Sequence, residues 1–191
     1  MSEKALDKRV RRTQQALRQA LLELMIEQGY ERTSVQHILD RASVGRATFY
    51  LHYRSKEDLL RKALDTLREH LVEQCESQTA GKGKSADPLG FSLAFFRHVD
   101  SHRRLYRSIV GRESGAIVDR QMRRLLTGLV LAGSPPAAKG VWADMAAQYV
   151  VGALMSVITW WLDRNVKLSP EEIDGVFRKM TAAALAGAPR P

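Results

Sequence analysis

Apolar positions along this chain recur every three or four residues, with no strand pattern and no internal repeat, so the periodicity predicts helices throughout. Val10, Leu17, Leu21, Leu24 and Met25 form the buried stripe of a long first helix. It is expected to begin at Lys8, Arg9, Arg11 and Arg12, with residues 1–7 outside it and Gly29 ending it as a C′ residue. A short second helix follows, with Ser34 as N-cap and Val35, Ile38, Leu39 and Ala42 on one face. Ser43-Val44-Gly45 interrupts the period. A third run, Arg46 to Tyr53, sets Phe49 and Tyr53 one turn apart on a buried face and leaves Arg46, Ala47, Thr48, Tyr50 and Leu51 elsewhere. The S-x-x-D capping box at Ser55 and Asp58 opens a fourth helix from Lys56 to about Ser77.

Beyond it, Gln78 to Gly90 has no apolar period and reads as a flexible loop. Residues 91–110 predict one or two short helices with Phe91, Phe95, Phe96, Val99, Leu105, Tyr106 and Ile109 inward. Another helix spans 113–131, with Ile117, Met122, Leu125, Leu126 and Leu129. Ser134-Pro135-Pro136 breaks the chain before a long helix from about Ala137 to Asn165. Ser169-Pro170-Glu171-Glu172 is a strong helix start. The last helix carries Ile173, Val176, Phe177, Met180 and Ala184 on one stripe and stops near Gly187.

Two short helices joined by a tight turn suit the DNA major groove, which admits one helix while the other braces it. The side chains off the buried face are apt for this. Arg46 can fork onto guanine O6 and N7, and Ala47 and the Thr48 methyl can lie against a thymine methyl. Gln36 is a further base-reading candidate. Thr33, Tyr50, His52 and Lys56 are donors suited to phosphates, and Ser34 and Gly45, at the starts of the two helices, complete the set. Charge agrees. The 191-residue chain carries a net charge of +9, which favours a polyanionic partner. Residues 1–56 hold eleven of the cations and six of the anions, more than half of the excess.

At these residues the chain resembles a known family. Gly29-Tyr30, Thr33-Ser34, Ile38, Ala42, Val44 to Tyr50, His52-Tyr53 and Lys56 to Leu60 are similar to the DNA-binding domain of TetR/AcrR bacterial repressors. Ser43 departs from that pattern, because the position is commonly Gly. The resemblance implies an all-α protein with an N-terminal three-helix helix-turn-helix domain, residues 1–55, and a C-terminal helical ligand-binding and dimerisation domain, residues 56–191. It implies a homodimer, built through the last two helices as a four-helix bundle, that reads a palindromic double-stranded DNA operator and is released by a small molecule. No cofactor is implied. The aromatic and Met residues Phe95, Phe96, Tyr106, Met122, Trp142 and Tyr149 are candidates for the ligand pocket, and also ordinary core residues by spacing. A DNA-binding regulator or architectural protein without a ligand is the alternative.

Other chemistry fares less well. Met145 to Leu162 is free of charge over 18 residues, the lower limit for a membrane span, but Gln148, Gly152, Ser156 and Thr159 interrupt it. A helix buried at a subunit interface fits better, and no membrane partner is expected. His98 and His102 lie four apart, a spacing that can hold a metal, but no third ligand is evident and no metal is assigned. There is no G-x-S-x-G, H-E-x-x-H or P-loop, so no enzyme is expected. Cys75 is the only cysteine, which precludes an internal disulfide; with residues 1–20 charged throughout, the expected location is the cytoplasm.

Overall fold

The computed structural model of the chain describes residues 3–79, 87–109, 116–135 and 140–186, and among these it forms nine helices and no strand. A head is built from α1 (Glu3–Gln28), α2 (Val35–Ala42) and α3 (Arg46–His52). The long α4 (Lys56–Thr79) leads from it into a body of α5 (Ser92–Ser101), α6 (Arg103–Ile109), α7 (Ala116–Gly133), α8 (Val141–Asp163) and α9 (Pro170–Ala186).

Local chemistry sets the boundaries. Ser34 is extended at the start of α2, and its Oγ accepts from His37 N at 3.1 Å. His37 Nδ1 accepts in return from Ser34 N at 3.4 Å, so a histidine completes the capping box. Ser43 ends α2 in the left-handed conformation, φ 52° and ψ 44°. A glycine would adopt that turn without the steric cost that serine's Cβ brings. Ser55 Oγ accepts from Asp58 N at 3.2 Å, and Asp58 Oδ2 accepts from Arg54 N at 3.0 Å, which fixes Lys56 as the first residue of α4. The Arg54 backbone donor holds the Asp58 carboxyl below its ordinary range. At α9 the same device recurs: Ser169 Oγ accepts from Glu172 N at 3.2 Å and Glu172 Oε2 accepts from Ser169 N at 2.8 Å.

Several boundaries differ from the sequence reading. α1 begins at Glu3, not Lys8; acidic residues suit the positive end of a helix, and Asp7 pairs with Arg11 one turn on at 3.1 Å. α3 ends at His52 because Tyr53 turns extended, φ −139°. α4 runs past Ser77 to Thr79. Of the rest of the expected loop, residues 80–86 lie outside the described residues and 87–90 form a turn in which Leu89 is buried; Pro136, the start of the long helix at Ala137, Gly187 and the side chain of Cys75 also lie outside the described residues. α5 and α6 are separate helices, parted at His102, φ −124°.

Two apolar cores organise the molecule. In the head, Leu17, Leu21, Leu24, Met25, Ile38, Leu39, Phe49 and Tyr53 are buried with Leu59 and Leu60 of α4. Leu105, Ile109 and Val118 of the body join this cluster, so α6 and the start of α7 close against α1 along a shared apolar seam. In the body, Phe95, Phe96, Val99, Leu126, Leu154, Ile158, Trp161 and Phe177 pack together. Phe96 sits edge-on to both Trp161 and Phe177, with centroids 6.0 and 5.9 Å away. A polar knot ties α9 to the turn before α5: Arg178 donates to Leu89 O and to Asp87 Oδ2, both at 2.6 Å, and Ser92 donates to buried Asp174. Ile117, Val176, Met180 and Ala184 are exposed, the last three on the outer side of α9.

Candidate nucleic-acid interface

α3 is only seven residues long and cannot hold a helix by itself. It is pinned to the head by Phe49, which is fully buried and lies 5.6 Å from Tyr53 and 5.3 Å, edge-on, from Tyr50. With Phe49 inward, Arg46, Ala47, Tyr50 and Leu51 face solvent, and Thr48 and His52 are half-buried. Leu51 is 80% exposed and was absent from the expected set; its signal was an apolar residue off the Phe49–Tyr53 face. A methyl-rich side chain there can meet a thymine methyl.

The brace helix orients its neighbour. Gln36 Nε2 donates to Asp40 at 2.8 Å, which turns Gln36 Oε1 outward to accept from Arg46 Nη2 at 3.2 Å. Arg46 thus leans across from α3 to α2 and forms no ion pair among the described residues. α2 is clamped to α1 by Arg41, whose two terminal nitrogens reach Glu27 at 2.9 and 2.6 Å, with Glu23 at 3.3 Å. Gly45, the N-cap of α3, has φ −69° and open space around the position of a Cβ. Neither backbone strain nor a neighbouring atom of the head demands glycine there, which leaves room for another molecule to approach.

Lys56 Nζ donates to Tyr30 O at 2.9 Å and lies 4.2 Å from the Tyr30 ring centre. One of its three N–H groups is therefore held inside the head, and the others are free to meet an anion. Thr33 is a correction. It is 1% exposed, and its hydroxyl donates to Gly29 O at 2.9 Å, closing the turn after α1. Its side chain cannot reach a phosphate. Ser34, Gln36, Gly45, Arg46, Ala47 and Tyr50 are exposed, with Thr48, His52 and Lys56 partly so.

The six candidate pocket residues do not form one site. Phe95 and Phe96 are fully buried core. Trp142 and Tyr149 lie on the outer face of α8, 48% and 52% exposed. Of the six, Tyr106 and Met122 line a cavity of about 390 Å³ between α1, α4, α5, α6 and α7. His98 and His102 also line it and stack at 4.3 Å, with His102 Nδ1 donating to His98 O at 2.9 Å. That nitrogen is spent on a carbonyl, and no three His, Cys, Asp or Glu among the described residues converge on a metal position.

Burial, reinforced by His102 and then His70, pushes the His98 pKa down to about 4 from 6.5. The unfolded chain therefore takes up this proton first as pH falls. The stability supplied by neutral His98 is complete above about pH 6.5 and is lost between about 6.5 and 4, at most ~3 kcal/mol. The midpoint of thermal unfolding, followed from pH 7.5 to 4.5, is expected to fall more steeply for the wild type than for His98→Gln. Equal slopes would assign the effect to another group.

An exposed cationic helix, presented across a tight turn by a clamped brace helix, defines a helix-turn-helix DNA-binding regulator. Comparison with known proteins gives the family. The model for bacterial regulatory proteins of the tetR family matches residues 17–63, and that for a transcriptional regulator C-terminal region matches residues 86–182. The chain belongs to the TetR family of bacterial transcriptional regulators, a family of DNA-binding proteins rather than enzymes.

Over 92 residues, 48% of its length, it is 33% identical to the HTH-type transcriptional regulator TcmR of Streptomyces glaucescens, and the match spans 39% of that relative. Over 162 residues it is 23% identical to the fatty acid metabolism regulator protein of Bacillus subtilis (strain 168), covering 78% of this chain and 82% of that one. Among solved structures, a TetR transcriptional regulator from Streptococcus agalactiae 2603V shares the fold, with a TM-score of 0.65 at 22% identity over 94% of this chain and 99% of that one.

Proposed function

We propose that this chain is a cytoplasmic repressor that binds a palindromic operator in double-stranded DNA as a homodimer and leaves it when a small molecule binds. Residues 1–55 act as the DNA-binding domain, and 56–191 dimerise and sense the ligand. The observation that carries the reading is α3. One face is locked into the head by Phe49, and the opposite face presents Arg46 to solvent, held by Gln36 and free of any carboxylate among the described residues. Arg46 is the base reader, supported by Gln36, Ala47, Thr48 and Leu51. Ser34, Gly45, Tyr50, His52 and Lys56 hold the backbone.

Dimerisation is supported by a second surface. On α8, Trp142, Met145, Tyr149 and Trp160 are each about half exposed and recur at helical spacing around Gly152 and Ser156. Val176 and Met180 of α9 are more exposed still. α8 is long and apolar enough to cross a membrane; a four-helix bundle with the same helices of a partner would cover its outer face equally well. Two heads on a two-fold axis then read half-sites about one helical turn apart. Release follows by population shift: a ligand that binds better to a state with misplaced heads must weaken DNA binding by the same factor.

Fluorescence anisotropy on matched and single-substituted duplexes tests the assignment of roles. Arg46→Ala is expected to cost about 1–3 kcal/mol on the matched operator and to blur discrimination at one base pair of each half-site. Lys56→Ala is expected to weaken all duplexes alike and to reduce the salt slope by about 1. Unchanged base preference in Arg46→Ala would remove Arg46 as the reader. Transcription from a promoter overlapping the operator is expected to fall on adding the protein; a rise would make it an activator.

A further inference from the structure

The cavity at the seam between head and body has a polar rim and an apolar floor. One wall is α1 of the head, with Arg18 and Gln15, beside the connecting α4, with Thr66; the floor is Leu105, Tyr106 and Met122 of the body. No residue of α8 contributes. Arg18 is half-buried, and its Nη1 donates to Thr66 Oγ1 at 2.8 Å. A guanidinium carries five N–H donors, and this one forms no ion pair among the described residues. At about 390 Å³ the space falls within the range of small-molecule sites and holds on the order of a dozen water-sized groups.

The Arg18 guanidinium can pair with an anion, and the apolar side chains beside it can pack against a hydrocarbon body. One ligand chemistry answers both: a single carboxylate on a compact apolar body. A neutral apolar molecule would desolvate Arg18 and leave it unmatched.

We infer that the seam cavity is a binding site for an apolar monocarboxylate, whose acid group pairs with Arg18 and whose body lies over Tyr106 and Met122. Because one wall belongs to the head and the floor to the body, such a ligand fixes the angle between them. That consequence rests on the ligand-release reading; the binding site does not.

Titration calorimetry on the full chain tests the site with decanoate, 1-naphthoate and 1-decanol, the two acids separating an alkyl from an aryl body. At least one acid is expected to saturate one site per chain. Arg18→Gln is expected to weaken that acid about tenfold or more while leaving 1-decanol within about twofold. Ala63→Phe, which fills the cavity from α4, is expected to abolish acid binding; should it fail to fold, Leu67→Trp on the same wall takes its place. No saturable uptake of either acid overturns the site, as does binding that ignores Arg18→Gln or survives the filled cavity. Operator affinity with and without the bound acid separates the two readings. Uptake at the seam with unchanged operator affinity removes release by this ligand and keeps the site. Release by another compound without uptake of either acid removes the site and keeps release.

Discussion

Gly152→Glu is expected to fold as the wild type does and to run as a single chain. Gly152 lies on α8 in the half-exposed stripe between Tyr149 and Trp160. A Cβ built there meets nothing within 4 Å, so within one chain the substitution is unopposed and gains helix propensity over glycine. A dimer changes the outcome. A carboxylate at the centre of an apolar interface must be desolvated with no partner, at a cost of several kcal/mol per buried ion. Thermal unfolding monitored by circular dichroism is expected to show an intact helical chain, and light scattering at micromolar concentration the mass of one chain. With the heads uncoupled, operator affinity is expected to fall by roughly 10²–10⁴-fold, the usual gain from linking two binding events. Dimer mass retained in Gly152→Glu would place the interface elsewhere.

The second large effect is in the head. Phe49→Ala removes the side chain that seats α3, at a typical cost of about 3–5 kcal/mol for a buried aromatic. Phe49 is 0% exposed, so little of that loss is offset by solvent. Against whole-domain stabilities of about 5–15 kcal/mol, this removes a large part of the margin that keeps the head folded. The unfolding midpoint is expected to drop by roughly 10 °C, or a separate early transition to emerge, and operator binding to vanish although Arg46 is unaltered. A normal midpoint with lost DNA binding would make Phe49 a DNA contact instead.

The head was legible because its signals are local. Ser34, Ser43 and Ser55 each act within three or four residues of their own position, and the Phe49–Tyr53 spacing decides which side of α3 faces out. Where two local readings of one group compete, sequence does not choose: the Thr33 hydroxyl suits a phosphate or the Gly29 carbonyl, and burial decides for the carbonyl. The candidate pocket residues were less legible for a different reason. Phe95, Tyr106, Trp142 and Tyr149 have the same composition and period, and only packing between distant helices sends the first to the core, the second to a cavity and the last two to the surface. Arg18 carries no local mark at all. Its place at the rim arises from the approach of α1 to α4, with Thr66 lying 48 residues away.

Two identical heads that read double-stranded DNA in register impose their two-fold symmetry on the bound sequence. Selection of bound duplexes from a random pool, followed by sequencing, tests it most directly. The expected result is enrichment of a two-fold-symmetric sequence with half-sites about one helical turn apart, lost in Gly152→Glu and altered at one base pair of each half in Arg46→Ala. A pool that stays random, or that converges on a single half-site without symmetry, would contradict it.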